Sequence, residues 1–192
     1  MASISTRRGD DGSTSAPSGT RLSKGDLRVE ASGCIDELNS QLGVARAFCG
    51  DTELAATIES IQRELFKIGS AISTKPEGRK PVPEITGAMV ERLDELVERL
   101  EATPGITRDW TIPGGHQTSA HFEVARTVCR RAERNIVRVL SSGEALQQNV
   151  LKYVNRLSDV LWLCARMRDA AAGVDARLRD AEHPGPPWSR AW

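Results

Sequence analysis

Apolar residues recur at steps of three and four along most of the chain, which is the spacing of one face of an α-helix. The clearest stripe lies between Thr52 and Lys75 and consists of Leu54, Ile58, Ile61, Leu65, Ile68 and Ile72. Similar stripes, ended by glycine or proline, predict five helices at about 28–49, 52–74, 84–101, 117–140 and 144–172. No strand pattern of useful length is present. Five helices of this length in one domain predict an all-α, up-and-down five-helix bundle.

The segments outside these helices are rich in glycine, proline and small polar residues, as is typical of loops. Residues 1–27 form a predicted N-terminal loop, residues 28–173 the bundle, and residues 174–192 a C-terminal tail. Inside the bundle, residues 75–83 read as a proline-rich linker, and residues 103–116 form a second loop, the Trp110 loop. We expect the tail, with three prolines and a final Trp192, to be held loosely.

Composition narrows the function classes. The 192 residues fit one domain with its own core, and 26 basic and 26 acidic side chains give a net charge of zero. That balance argues against a general nucleic-acid or membrane-surface binder, and no apolar run is long enough to span a bilayer. Four scattered cysteines indicate reduced, buried thiols in a cytoplasmic protein rather than a zinc site. Asp10 and Asp11 make the N-terminus unlike an organelle transit peptide.

The N-terminal loop carries a candidate anion-binding sequence, Thr6-Arg-Arg-Gly-Asp-Asp-Gly-Ser-Thr-Ser15. Glycines allow backbone amides to approach an anion, hydroxyls donate hydrogen bonds, and arginines supply positive charge. The segment lacks the Gly-Lys-Ser/Thr ending and the preceding strand of a P-loop. A flexible, solvated tail is the alternative interpretation of these residues.

The fourth predicted helix contains an arginine ladder, Arg126, Arg130, Arg134 and Arg138, with Arg131 beside it. Residues four apart share a helix face, and like charges at this spacing repel each other. Only Glu123 and Glu133 lie nearby in sequence. The ladder therefore indicates binding of an external polyanion, and the alternative is a network of ion pairs with acids from other helices.

Such acids and amides exist on two other helices. The fifth helix supplies Asn155 and Asp159, and the first supplies Asp36, Glu37 and Asn39. Polar groups in apolar helices need partners because an unsatisfied buried group costs about 1–3 kcal/mol. These residues are expected to bring three helices together at one polar region.

Several catalytic arrangements are absent from the sequence. None of the three histidines follows a glutamate by three residues, as a di-metal bundle site requires. No Ser-His-Asp or Cys-His set can be assembled either. The chain therefore offers charge and positioning rather than a nucleophile or a proton shuttle.

Six blocks of residues, in order, resemble the propanediol-utilisation (PduO) type of ATP:cob(I)alamin adenosyltransferase, from about Thr6 to Gly173. They are Thr6-x-x-Gly9-Asp10-x-Gly12-x-Thr14, Ser23-Lys24 to Arg28-Val-Glu-Ala31, Asp36-Glu-Leu-Asn-Ser40, Ile112-Pro-Gly-Gly115, Ala125-Arg-Thr-Val-Cys-Arg-Arg-Ala-Glu-Arg134 and Asn155-Arg-Leu-Ser-Asp159. The resemblance implies a homotrimer of five-helix bundles with ATP bound between neighbouring subunits. It also implies transfer of the 5′-deoxyadenosyl group of ATP to cob(I)alamin, giving adenosylcobalamin and triphosphate.

The resemblance further implies which residues bind ATP and Mg²⁺. The metal would lie on the triphosphate, with no metal ligands assigned to the protein. The residues implied in nucleotide binding come from the N-terminal loop and from the fourth and fifth helices. They are Thr6, Arg7, Arg8, Gly9, Thr14, Ser15, Lys24, Arg130, Arg131, Ala132, Glu133, Arg134 and Asn155.

Four residues are implied in catalysis: Arg130, Arg126, Asp36 and Trp110. Arg130 would contact the triphosphate, whereas Asp36 and Arg126 resemble a pair of opposite charges at the subunit boundary. Both lie among apolar neighbours, where a buried charge needs an opposite partner. Trp110 stands where the family usually has phenylalanine and would close the corrin pocket.

The resemblance also implies partners, namely a flavoprotein reductase that supplies reduced cobalamin and an enzyme that uses adenosylcobalamin. A different class of function remains open, a non-catalytic nucleotide or corrinoid sensor, or a scaffold, that keeps the fold. Such a protein would be expected to lose the arginine and asparagine contacts, and those residues are present.

Overall fold

A computed structural model describes residues 5–78, 80–106 and 109–185. Its helices are α1 (Leu27–Ala47), α2 (Thr52–Ser73), α3 (Gly87–Glu101), α4 (Gln117–Ser141) and α5 (Gln148–Ala171). The predicted five helices are confirmed. Among the described residues, no helix is both long enough and apolar enough to cross a membrane.

The helices pack as a bundle in which α1 contacts α2 and α4, α4 contacts α5, and α3 packs against α5. The predicted apolar stripes form the core; Ile58, Leu65, Ile68 and Ile72 of α2, for example, are fully buried. All four cysteines are buried and free, as predicted.

One short antiparallel hairpin departs from the predicted absence of strands. It pairs β1 (Ser13–Ser15) with β2 (Arg21–Ser23), and Thr14 faces Leu22 in the register. Strands of three residues are too short to produce a recognisable alternation in sequence, so the hairpin escapes a pattern-based prediction.

Two helices begin later than their apolar stripes suggest: α3 begins at Gly87 rather than at about residue 84, and α5 begins at Gln148 rather than at about residue 144. Residues 84–86 precede α3 as extended chain, because the side chain of Gln147 bonds to Ile85 N (2.9 Å) and to the Pro83 carbonyl (2.8 Å). Asn149 adds a bond to the Ile85 carbonyl (2.9 Å). The start of α5 thus holds the segment before α3 in a non-helical conformation.

A buried arginine fixes the point where the N-terminal loop enters the bundle. Arg28, 1 % exposed, bonds to Glu144 (3.0 Å) and to the carbonyls of Ile72 (2.7 Å) and Ala145 (2.8 Å). Lys75 bonds to the same carboxylate at 3.1 Å. These contacts join the first turn of α1 to the end of α2 and to the segment before α5.

The first part of the C-terminal tail is better held than predicted. Leu178 N donates to the Trp110 carbonyl (2.7 Å), and Ile112 N donates to the Ala176 carbonyl (2.8 Å). Arg179 Nε bonds to Asp109 at 2.9 Å. The expectation of a loose tail is therefore wrong for this stretch, because backbone pairing with the Trp110 loop fixes it. Residues 186–192, with Trp192, lie outside the described residues.

Candidate functional site

The N-terminal loop is built from turns that expose its polar groups. Gly12 N donates to the Gly9 carbonyl (3.2 Å), and Lys24 N donates to the Gly12 carbonyl (2.9 Å). Arg7 has a φ of 56°, in the left-handed region that non-glycine residues seldom occupy. Thr6, Arg7, Arg8 and Ser15 are exposed, and Thr14 is half-buried. The loop presents its hydroxyls and guanidinium groups as an anion-binding segment requires.

Gly9 and Lys24, both predicted to bind ATP, lie next to each other. A Cβ built on Gly9 would lie 3.1 Å from Lys24 Nζ and 3.0 Å from the Ser13 carbonyl. The absence of a side chain at Gly9 therefore lets the ammonium group and the hairpin approach the loop backbone.

The arginine ladder divides into paired and unpaired members. Arg126 bonds to Glu123, and Arg138 bonds to Asn135 (3.0 Å). Arg130 and Arg134 are exposed, and neither forms an ion pair with any residue that the structure describes. Arg126 and Arg138 are thus held by contacts within α4, whereas Arg130 and Arg134 are exposed and form the part of the ladder that an external anion could reach.

Polar contacts link α4 to both neighbouring helices, as expected. Arg131 pairs with Glu37 of α1, and Asn155 of α5 donates to Glu133 at 2.9 Å. Ala132 is fully buried in the core, so its side chain is not available to a nucleotide in this chain. Asp159 does not join the ladder directly, since its ion-pair partner is Arg156 of the same helix (3.2 Å). Partial burial raises the pKa of Asp159, and the charges of Arg156 and Arg130 oppose that rise.

Asp36 and Arg126 do not meet within one chain. Arg126 Nε bonds to Glu123 at 2.8 Å, and the same carboxylate accepts from Arg166 of α5 at 2.9 Å. Asp36 is exposed on the side of α1 that faces α2, where its carboxylate lies near Gly69. Within one chain, Asp36 is exposed and Arg126 is paired with Glu123, so neither is a buried charge without a partner, and the pairing between subunits stays a prediction.

Trp110 is half-buried in a loop that borders a cavity of about 310 Å³. Asp109 and Thr111, on either side of Trp110, line this cavity together with Arg166 and Asp169 of α5. Hydrogen bonds from Arg179 hold the pKa of Asp109 below its usual range. On the side of the Trp110 loop that faces α5, the cavity is therefore lined by polar and charged side chains.

Sequence reasoning missed Arg166, which is 3 % exposed. Its guanidinium bonds to Glu123, forms an ion pair with Asp169 (3.2 Å) and lies 5.7 Å from the ring centroid of Trp162. Burial lowers the pKa of Arg166, and the two carboxylates oppose that shift. The sequence signal that could have indicated a buried arginine is the position of a charged residue inside the apolar run of α5, directly after Leu163-Cys-Ala165.

The N-terminal loop remains separate, within one chain, from the exposed surface that carries Arg130 and Arg134 of α4 and Asn155 of α5, here called the α4–α5 face. No hydrogen bond or ion pair links residues 6–24 to α4 or α5 in the described ranges. The structure therefore brings Gly9 together with Lys24, and Glu133 together with Asn155, but does not join the two sets.

Comparison with known proteins identifies the family. The family model for cobalamin adenosyltransferase matches residues 4–168. The corrinoid adenosyltransferase of Citrobacter freundii is 36 % identical over 177 residues, covering 92 % of this chain and 100 % of that protein. The corrinoid adenosyltransferase of Bacillus subtilis is 37 % identical over 173 residues, which cover 88 % of each protein.

A solved structure agrees with the sequence comparisons. It is a variant of the PduO-type ATP:corrinoid adenosyltransferase from Lactobacillus reuteri, complexed with cobalamin and ATP. This chain matches it with a TM-score of 0.85 and 32 % identity, over 92 % of this chain and 99 % of that one. The chain belongs to the cobalamin adenosyltransferase family. The predicted family, fold class and enzyme class are confirmed.

Proposed function

We propose that this protein transfers the 5′-deoxyadenosyl group of ATP to cob(I)alamin, forming adenosylcobalamin and releasing triphosphate. The observation that carries the proposal is the pair of exposed arginines, Arg130 and Arg134, that have no ion-pair partner among the described residues of a chain with zero net charge. Family membership supplies the nucleotide and the corrinoid as the ligands to test.

In this reaction cobalt(I) donates an electron pair to the 5′-carbon of ATP, and the bond from that carbon to the leaving oxygen breaks. The electrons of that bond leave on the triphosphate, so no protein base is required. The protein must align the reacting atoms, and orientation alone can lower the activation free energy by about 7–11 kcal/mol. Arg130, Arg134 and Lys24 would stabilise the charge that develops on the departing triphosphate.

Mg²⁺ is proposed to bind chiefly to the nucleotide. The triphosphate oxygens would supply most ligands, and the ion would neutralise part of the phosphate charge. Within the described ranges, no group of three His, Cys, Asp or Glu side chains could hold a metal ion.

Trp110 is proposed to shape the corrin side of the site. Its loop is braced by the tail through Leu178 and Ala176, which gives the half-buried ring a fixed support. An aromatic side chain in this position would exclude water from the lower face of the corrin and so favour reduction of cobalt(II). This role requires a rigid loop rather than a charged group.

A homotrimer is proposed because the two sets of implied ATP residues stay apart in one chain. In a trimer, the N-terminal loop of one subunit can cover a nucleotide held on the α4–α5 face of another. Asp36, exposed beside α2, is free to reach Arg126 of a neighbouring subunit. A flavoprotein reductase and an adenosylcobalamin-dependent enzyme are the proposed partners before and after this step.

One assay tests the function. The protein is mixed with ATP, Mg²⁺ and chemically reduced cobalamin, and the absorbance change that accompanies formation of the cobalt–carbon bond is followed. Turnover with release of triphosphate supports the proposal. Tight binding of ATP or cobalamin without turnover would instead support the alternative, a sensor or scaffold with the same fold.

A further inference from the structure

Arg21 of β2 makes a set of contacts that spans the N-terminal loop. Its Nη2 donates to the Arg8 carbonyl at 2.7 Å and lies 3.3 Å from Asp11 Oδ1. The same nitrogen bonds to Ser13 Oγ, and Nη1 lies 3.5 Å from Ser15 Oγ. One guanidinium group therefore connects the strand β2 to both sides of the turn that contains Gly9 and Gly12.

Backbone hydrogen bonds and the short hairpin also hold the loop, but Arg21 is the side chain that ties β2 to the exposed turn. Residues 5–8 and 10–12 are exposed, and the left-handed conformation of Arg7 is costly unless neighbouring contacts maintain it. Arg21 fixes the Arg8 carbonyl, which belongs to the peptide between Arg8 and Gly9, one residue after Arg7. Ordering a loop of this kind before a ligand arrives reduces the entropy lost on binding.

The same guanidinium group also offsets a negative charge in an anion-binding segment. Asp11 accepts from Ser13 N (2.9 Å) and from Ser13 Oγ (2.6 Å). These bonds, together with the charge of Arg21, hold the pKa of Asp11 below its ordinary value, so the carboxylate is ionised at neutral pH. Without Arg21, this charge would face an incoming triphosphate uncompensated.

We propose that Arg21 is a positioning residue for ATP: through the Arg8 carbonyl and Asp11 it holds the N-terminal loop in the conformation that receives the triphosphate. This inference rests on the proposed function, but it adds two residues, Arg21 and Asp11, that the family motifs do not assign to the site. Arg21 acts on the affinity for ATP and not on the chemical step, because its guanidinium is already occupied by loop atoms.

The test compares Arg21→Gln, Arg21→Lys, Asp11→Asn and the double variant Arg21→Gln/Asp11→Asn with the unmodified protein. Arg21→Gln is expected to raise the KM for ATP about tenfold, the effect of losing one charge-assisted contact. The kcat and the KM for cobalamin stay within about twofold. Arg21→Lys is expected to be intermediate, because one ammonium group cannot span the Arg8 carbonyl and Asp11 together.

Asp11→Asn is expected to raise the KM for ATP about threefold, less than Arg21→Gln does, because Asn Oδ1 still accepts from Ser13 and the Arg8 contact remains but the ion pair with Arg21 is lost. The double variant should recover only part of the Arg21→Gln loss. If the double variant had the KM for ATP of the unmodified protein, the positioning role of Arg21 would be overturned, because compensation of the Asp11 charge would then explain the whole effect. A lower kcat at unchanged KM for ATP would also overturn it, since Arg21 would then act on the departing triphosphate.

Two controls distinguish a failure of the proposed function from a failure of the Arg21 proposal. Arg63→Gln removes an arginine of similar kind, paired with Glu59 on the exposed face of α2, and should leave all parameters unchanged. Calorimetric titration of ATP into each variant, without cobalamin, measures affinity even if the unmodified protein does not turn over. Loss of turnover in the unmodified protein would count against the proposed function, whereas equal ATP affinities across the set would count against Arg21.

Discussion

At the scale of single residues, the arginine ladder combines Arg131, which pairs with Glu37 of α1, with Arg130 and Arg134, which are exposed and form no ion pair with any described residue. The four-residue spacing of the arginine ladder was visible in the sequence, and Arg130 and Arg134 are exposed as an anion site needs. Pairing of Arg131 with Glu37 depends on how α1 packs against α4, which no local pattern encodes. Because tertiary packing decides which residues pair, the sequence could predict the ladder but not which of its arginines are paired and which are left unpaired.

Replacing Arg130 by alanine tests the exposed part of the ladder. We expect Arg130→Ala to reduce turnover at least about 100-fold, because a charge-assisted contact that strengthens as triphosphate leaves is lost. Steady-state kinetics and the circular dichroism spectrum are measured together, and the helical signal should be unchanged. Arg99→Ala, which removes an exposed ion pair between Arg99 of α3 and Glu53 of α2, is the matched control. Near-normal turnover of a folded Arg130→Ala protein would refute the phosphate assignment.

Trp110 is tested through the oxidation state of the corrinoid. Trp110→Ala should lose more activity when the reaction starts from cobalt(II) with a mild reductant than when it starts from fully reduced cobalt(I). The reason is that the aromatic ring is proposed to act on the lower face of the corrin before electron transfer and is not assigned to ATP binding. Both rates are measured on one preparation. Equal losses from the two starting states would make Trp110 an ordinary loop residue.

At the scale of elements, the helices followed from apolar spacing, whereas the contacts between their ends did not. Arg28 is the second residue of α1, two positions after the capping residue Asp26, yet its side chain is buried against Ile72 and Ala145. A charged residue at a helix start looks solvent-exposed in sequence. The brace between the C-terminal tail and the Trp110 loop was missed for the same reason, since an isolated pair of extended segments leaves no periodic signal.

The network around Arg28 predicts a pH-dependent stability. Lys75 and Arg28 hold the pKa of Glu144 below its ordinary value of 4.5. A lowered pKa means that the ion pairs stabilise the fold above this value and that the contribution is lost as the pH falls through the folded-state pKa. Glu144→Gln should therefore lower the melting temperature by a few degrees at about pH 7, equivalent to ~1 kcal/mol for a partly exposed carboxylate.

The measurement compares the melting temperatures of Glu144→Gln and the unmodified protein at about pH 7 and at about pH 3.5. The difference between the two melting temperatures should be smaller at the lower pH. Glu98→Gln changes an exposed glutamate of α3 and should show no gap at either pH. A gap between Glu144→Gln and the unmodified protein that stayed constant over this range would show that packing, and not the ion pairs, accounts for the effect.

At the scale of the whole molecule, a single chain holds two incomplete halves of the proposed site. The N-terminal loop is ordered by its own hairpin and by Arg21, whereas the unpaired arginines lie on the α4–α5 face. No composition or periodicity argument could have shown this separation, because it depends on where the loop leaves the bundle beside Arg28. In the proposed trimer, the boundary between subunits would be the place where the two halves meet.

Asp36 and Arg126 allow this proposal to be tested in mixtures. Asp36→Ala and Arg126→Ala should each lose activity, because each removes one member of a charge pair across the same boundary. In a trimer refolded from both variants, some boundaries join an intact Asp36 to an intact Arg126, so partial activity should return. Light scattering should report a trimer for each protein, and circular dichroism should show that Arg126→Ala remains folded without its bond to Glu123. A fully active monomer would contradict the shared site, and so would mixtures no more active than the separate variants.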